Sequence, residues 1–399
     1  MRAERLVHLG LAYRVTLASG LLALCAIGAA RSGTTPDRYG NDFTVFYAAA
    51  QQAQCAGNPY VISIRAATPY LYPPLFAQLL SPLTVFPLPT AAFLWAVGNI
   101  GGWIWLARLA SAVAGNQPQP GSRQVWWWVS LAPLLIGNVL LGQVNIWIAA
   151  LVTFAVVSDA RRQRSGTAGL ALAVATSIKL TPALLIPYFV GRRAWRIVGW
   201  WAAWAIVLNG LSAGALGSER WAILHDWYAT IVVQGWRFDF ATPSNQSLYG
   251  AALRVGRAWF GCDDLPYWPL ALVGAGGLFW VGHAGRHLSG ASAYPAAALA
   301  AGGCVLAAKL SWVAHFALLA LPIATLLASE KPRRLAWLAI VAFAGCAWSS
   351  FRATPSWLRL RVEDWSLFAV AGLMVTLALA TLLRQCGQRA ASPVAQDTP

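Results

Sequence analysis

The chain has 399 residues, of which 58% are hydrophobic and only 11% charged, with a mean hydropathy of +0.56. Soluble domains carry about 25% charged residues, so the composition excludes a soluble enzyme and points to an all-α polytopic membrane protein. A net charge of +16 would suggest nucleic acid in a soluble chain, but most of these arginines sit in short clusters between apolar segments and read as topology signals.

Along the chain, the first apolar segment, residues 11–30, is long enough to span and has no small-residue cleavage site before a soluble domain, so a retained helix is expected. A long external loop follows over residues 31–70. Residues 71–88 are apolar but carry four prolines, which suits a re-entrant or interfacial piece better than a crossing. Spans are then expected at residues 91–113, 197–216, 267–283, 335–349 and 365–383. The clusters Arg161-Arg162-Gln163-Arg164, Arg192-Arg193 with Arg196, Lys331-Pro332-Arg333-Arg334, and Arg384 with Arg389 belong on the cytoplasmic side by the positive-inside rule.

Fixing those clusters sets the parity of what lies between them. Residues 166–190 have cytoplasmic flanks on both sides, so the chain must go out and return, turning near Lys179-Leu180-Thr181-Pro182. The same argument turns residues 126–158 at Gly142-Gln143-Val144-Asn145, and residues 294–329 near Lys309-Leu310-Ser311-Trp312. Three polar interruptions therefore arrive at one outer face, in a chain of about twelve crossings with both termini inside. Broken helices at membrane depth require protein or a water-filled cavity around them, so an outward-opening cavity is expected.

A second external loop covers residues 217–264. Within it, residues 245–260 with Arg254 and Arg257 suggest an interfacial helix whose external arginines need an anionic partner, a lipid headgroup or phosphate. Cys55 and Cys262 both fall in external loops and could pair. Residues 1–389 are expected to form one integral membrane domain, followed by a disordered cytoplasmic tail over 390–399.

Ionisable groups in such a chain are functional candidates. Lys179 and Lys309 sit beside outer breaks, where they either snorkel to the interface or hold an anion such as phosphate. His315 follows Trp312 by three residues, on one helical face. It is either a core histidine satisfied by a carbonyl or a group that orients hydroxyls or a phosphate. Asn41 and Asp42 can cap the helix that starts at Phe43, and the cap alone would account for an acid there. Gln143, Asn145, Asn245 and Gln246 also have readings as turn or cap residues. No metal is required by this set, although Asp226 and Asp239 leave a divalent ion open.

Taken together, "NDFTVFYAAAQQAQCAGNPY", "YLYPPLFAQLLSPL", "LGQVNIWIAAL", "AVATSIKLTPALLIPYF", "SNQSLYG" and "KLSWVAHFALL" resemble glycosyltransferase family 87 of the GT-C superfamily. The resemblance runs in order from about residue 40 to residue 330. It implies a GT-C-like fold of many transmembrane helices, with juxtamembrane helices in the first long external loop and an active site at the outer leaflet. The implied substrates are a polyprenyl-phosphate sugar, mannose by analogy, and a lipid or glycan hydroxyl. The acid in the first external loop matches Asp42, the histidine of the S-W-x-x-H segment matches His315, and the K-L-T-P lysine matches Lys179. Lys309 departs from the small or proline residue usual before that segment.

The expected chemistry is then an inverting displacement at the anomeric carbon, with Asp42 as general base. Lys179 with Lys309, Arg254 and Arg257 would meet the leaving phosphate. Asn41, Tyr47, Tyr72, Gln143, Asn145, Asn245, Gln246, Trp312 and His315 would orient the substrates. A lipid-linked-sugar flippase or small-solute transporter is the alternative, and predicts ionisable groups spread through the membrane depth rather than gathered at one face. An assembly protein without chemistry leaves the coincidence of the three breaks unexplained.

Overall fold

The computed structural model describes residues 18–31, 42–55, 57–60, 70–114, 121–229, 239–329, 334–350 and 355–391. Among them every regular element is helical. Apolar stretches rich in alanine and leucine have strong helix propensity, and a helix satisfies its own backbone without help from solvent. The helices are α1 (Ala18–Arg31), α2 (Asp42–Gln54), α3 (Pro74–Leu80), α4 (Leu88–Ser111), α5 (Gly121–Leu140) and α6 (Asn145–Ala160). Next come α7 (Ser165–Ile178), α8 (Ile186–Gly191), α9 (Trp195–Ala215), α10 (Arg220–Trp227), α11 (Leu248–Phe260) and α12 (Trp268–Gly285). The last are α13 (Tyr294–Ala307), α14 (Ala320–Ala328), α15 (Arg334–Ser349), α16 (Ser356–Asp364) and α17 (Leu367–Ala391).

Two sets of contacts give the bundle its two ends. At one, the Lys179 ammonium meets Asn145 at the start of α6 and His315 just after the break that follows α13. At the other, Asp159 near the end of α6 pairs with Arg192 just after α8, and Arg161 reaches the Tyr294 hydroxyl at the start of α13. α6, with 16 residues, bridges these ends and is about 24 Å long. The turn at 161–164 returns the chain at once into α7, which climbs back to Lys179. The segment from Thr181 to Gly191 then descends to Arg192. The expected reversal at Lys179-Pro182 therefore exists, and the same contacts bring the 142–145 and 309–312 turns to the same end.

Each break has a local cause. Gly142 sits in the left-handed region (φ 65°) and closes α5, with the Gln143 amide donating to the Asn138 carbonyl. Lys179 is extended (φ −147°, ψ 128°), because Pro182 in the following 3-10 turn cannot continue the hydrogen-bond ladder of α7. After α13, Ala308 is extended and the chain re-enters a 3-10 turn over Val313–Leu319 before α14. At the arginine-rich end, Arg162, Arg164 and Arg193 adopt positive φ in tight turns.

α13 is the centre of the molecule: thirteen of its fourteen residues are buried, most of them alanine or glycine. Small side chains let neighbouring helices approach closely where burial in lipid gives no hydrophobic driving force. The tightest crossing is α8 against α12. A Cβ on Gly191 would strike the Phe279 carbonyl, and one on Gly282 would strike that of Tyr188.

Among the described residues four helices, Leu88–Ser111, Trp195–Ala215, Gly290–Ala307 and Leu367–Ala390, are long and apolar enough to cross a membrane by length and composition. By that measure the structure supports four of the twelve expected crossings, since most of the others are short arms such as α14, with nine residues. The proline-rich segment forms α3 and a 3-10 turn over Ser81–Val85, and the seven residues of α3 extend about 10 Å, far short of a crossing. The interfacial-helix expectation falls on α11, which exposes Val255, Trp259 and Phe260. Cys55 and Cys262 are separate thiols, and that of Cys262 donates to the Asp264 carbonyl in the turn after α11. Residues 392–399 of the expected tail lie outside the described residues; Ala390 and Ala391 are helical.

Candidate active site

Asp42 is the first residue of α2, and its amide donates to the Leu141 carbonyl (2.9 Å), which hangs the helix on the Gly142 turn. The same turn is held from the other side by Trp95, whose indole N–H donates to the Gly142 carbonyl (2.9 Å). Asp42 lies in the first turn of α2, and Asn41 lies outside the described residues. The carboxylate in the first turn faces the positive end of the helix dipole. It also lies within electrostatic reach of the Lys179 ammonium and the Tyr72 hydroxyl. Burial pushes the Asp42 carboxyl up to about 6, and Lys179 opposes that rise.

A chain of hydrogen bonds centres on Lys179. Lys179 Nζ contacts Asn145 Oδ1 at 2.9 Å and His315 Nε2 at 2.5 Å, and Asn145 Nδ2 donates to Gln143 Oε1 at 2.9 Å. Nδ1 of His315 accepts from the Trp312 backbone amide (3.1 Å), which orients the ring and turns Nε2 toward Lys179 Nζ. The Trp312 ring stacks on the imidazole at 6.1 Å and 16°. Lys179 also stands 5.9 Å from the centre of the Tyr72 ring. Tyr72 in turn packs edge-on against Phe46 of α2 and beside Tyr70, and its carbonyl accepts from the Tyr60 hydroxyl. The structure thus brings together Asp42, Tyr72, Gln143, Asn145, Lys179, Trp312 and His315.

The other expected site residues point elsewhere. The Tyr47 hydroxyl donates to the Phe86 carbonyl (2.8 Å). Arg254 spends its guanidinium on the Ser366 hydroxyl and on the carbonyls of Thr242 and Asn245. Arg257 pairs with Asp239 (2.9 Å) and Asp263 (3.3 Å) at the surface. The Lys309 ammonium lies over the Phe240 ring (4.3 Å). Asn245 and Gln246 are fully buried, with their amides bonded to backbone. Arg254, Asn245 and Gln246 have their side-chain donors committed to these partners, and Arg257 is held at the surface by its two aspartates.

Three neighbours of the cluster were not among the expected residues. Asn138 donates to the Ala314 carbonyl and so ties α5 to the segment bearing His315. The Cys304 thiol donates to the Thr181 carbonyl beside Lys179, and the Tyr60 hydroxyl donates to the Tyr72 carbonyl. Asn138 lies five residues before Gln143, which could have marked it. Cys304 sits in an apolar helix with no sequence signal at all.

The family model that matches this chain is Glycosyltransferase family 87, over residues 70–311. The chain belongs to glycosyltransferase family 87. This family 87 chain is 30% identical over 210 residues to a polyprenol-phosphate-mannose-dependent alpha-(1-2)-phosphatidylinositol pentamannoside mannosyltransferase of Mycolicibacterium smegmatis, covering 52% of this chain and 48% of that one. It is 26% identical over 253 residues to the protein of that name from Mycobacterium tuberculosis, covering 61% and 57%. A third relative, the polyprenol-phosphate-mannose-dependent alpha-(1-2)-phosphatidylinositol mannoside mannosyltransferase of M. smegmatis, is 28% identical over 204 residues, covering 47% and 44%. The chain thus spans about half the length of the curated relatives it matches. No solved structure matches. The family match contains Tyr72, Gln143, Asn145 and Lys179 but ends at residue 311, and Asp42 lies before it.

Proposed function

We propose that this family 87 chain transfers a hexose, mannose by its relatives' names, from a polyprenyl phosphate to a lipid or glycan hydroxyl at the outer face of a bacterial cytoplasmic membrane. The observation that carries the reading is one carboxylate, Asp42, facing a lysine ammonium that is itself held by Asn145 and His315. A lipid-phosphate sugar needs one group to take the acceptor proton and another to meet the charge growing on the leaving phosphate. That pair is what the cluster offers.

In this mechanism the acceptor oxygen attacks the anomeric carbon from the face opposite the phosphate, so the configuration inverts. The bond from the anomeric carbon to the phosphate oxygen breaks, and its electron pair leaves with the polyprenyl phosphate, which stays in the bilayer. The hydroxyl proton passes to Asp42. Lys179, held in place by two hydrogen bonds, stabilises the leaving oxygen as a preorganised cation. His315 keeps the ammonium aimed, and Tyr72 and Trp312 offer aromatic faces to the sugar. The arginine-rich end, with both termini, is cytoplasmic in a single membrane domain of about twelve crossings, and α2 and α3 lie along the outer surface.

The test incubates membranes carrying wild-type or Asp42→Asn protein with labelled polyprenyl-phosphate sugars and a total lipid extract. Wild type should yield a labelled lipid or glycan from the mannosyl donor and Asp42→Asn none. Turnover by Asp42→Asn would remove the base from Asp42. Absence of product from every donor would sink the proposal.

A further inference from the structure

The sequence marks Asn245 as a substrate residue, but its surroundings assign it another task. Its side chain makes four hydrogen bonds, all to backbone. Oδ1 accepts from the amides of Ser247 (3.2 Å) and Ser311 (3.0 Å), and Nδ2 donates to the carbonyls of Phe240 (3.0 Å) and Lys309 (3.1 Å). Two amides on one side and two carbonyls on the other fit only a carboxamide in this orientation. The neighbouring residues reinforce the same grip: the Gln246 amide donates to the Ser311 carbonyl (2.7 Å), and Ser247 Oγ donates to the Lys309 carbonyl (3.2 Å). Asn245, Gln246, Ser247 and Ser311 are all fully buried.

The segment gripped here is the break between α13 and the turn that carries His315. Its backbone polar groups lack helical partners, and Asn245 with its neighbours supplies them. Four residues beyond Ser311, His315 accepts the Trp312 backbone amide at Nδ1 and contacts Lys179 Nζ through Nε2. Gly250 is an independent sign that the carboxamide needs its space. A Cβ there would come within 2.6 Å of the Asn245 carbonyl oxygen and 2.8 Å of its Nδ2.

We propose that Asn245 is a positioning residue for the transfer reaction: by fixing the Lys309–Ser311 backbone it sets His315, and through His315 the aim of Lys179, with Gly250 as the clearance that admits it. This rests on the reading of Lys179 and Asp42 given above. The external loop thereby takes part in the chemistry without touching substrate.

Reconstituted wild-type, Asn245→Ala and Gly250→Ala proteins separate the possibilities. A misplacement of about 1 Å can cost about 100-fold in rate, so kcat per folded molecule should fall by about that factor in both variants while the acceptor KM stays near its wild-type value. A purely structural Asn245 would instead lower yield and Tm and leave kcat of the folded fraction intact, which would overturn the inference. Gly250→Ala keeps the asparagine and disturbs only its seat, so it decides the matter if Asn245→Ala does not fold. A second readout needs no turnover: modification of His315 by diethylpyrocarbonate, followed by peptide mass spectrometry. Faster modification in the variants is expected, and wild-type protection in both would overturn the inference even if the transfer reaction itself were misassigned. Loss of all transfer by wild type with His315 deprotected in the variants would sink only the proposed function.

Discussion

A carboxylate placed as Asp42 is costs the fold something, and that cost separates function from capping. Burial raises its carboxyl to about 6, so the proton is bound more tightly in the folded chain than in the unfolded one. The contribution of this group to stability is therefore fully present below the unfolded carboxylate range and is lost as pH rises through about 6. Asp42→Asn should abolish transfer near pH 7.5 while Tm in detergent stays level or rises; a drop in Tm would mark the carboxylate as structural. The base must be ionised, so kcat should fall about tenfold per pH unit below about 6, with a plateau above. A pH–rate profile without a limb in that region would contradict the assignment. At this scale the sequence was legible where a polar residue interrupts an apolar run, as at Asp42, Lys179 and His315. Arg254, Asn245 and Gln246 instead serve backbone groups, since a sequence does not reveal which of these a loop leaves unpaired.

The elements are held at the arginine-rich end by one clasp. Asp159 of α6 pairs with Arg192 at 2.7 Å, both almost fully buried, and the guanidinium also donates to the carbonyls of Gly285 at the end of α12 and Leu288 just beyond it. The Tyr188 hydroxyl completes the group. Removing one partner leaves the other charge buried, at a cost of about 3–5 kcal/mol. Asp159→Ala should therefore lower Tm sharply and reduce the folded yield, while any protein that does fold keeps its wild-type KM. This would be read by fluorescence-detected gel filtration after heating. None of it was visible in the sequence, where Arg192 was assigned to topology alone and Asp159 drew no attention. The helices themselves were more legible. The expected spans at 91–113, 197–216 and 335–349 fall within a few residues of α4, α9 and α15, because long apolar runs bounded by charge leave little choice. The short arms were read from charge parity, a long-range constraint, rather than from their own composition.

For the whole molecule, the proposed orientation places Arg257 and Arg162 on opposite sides of the membrane. In a cysteine-free background, Arg257→Cys should react with a membrane-impermeant maleimide in intact cells, and Arg162→Cys only after permeabilisation. The reverse pattern would invert the topology and move the site to the cytoplasm. In the proposed orientation the arginines at the 161–164 and 192–193 turns would serve twice, as topology signals and as the hydrogen-bond donors between turns that the structure shows.

Three directions radiate from Lys179 Nζ beyond its carbon stem, and among the described residues two are occupied by Asn145 Oδ1 and His315 Nε2. One direction remains, so in the proposed reaction the lysine would grip a single phosphate oxygen and no more. Such a one-point hold suits a product that must be surrendered to the lipid phase after every cycle. Lys179→Arg, with five donors in a fork, should hold inorganic or polyprenyl phosphate more tightly and turn over more slowly, making release rather than transfer the slow event. Product inhibition curves would register the change.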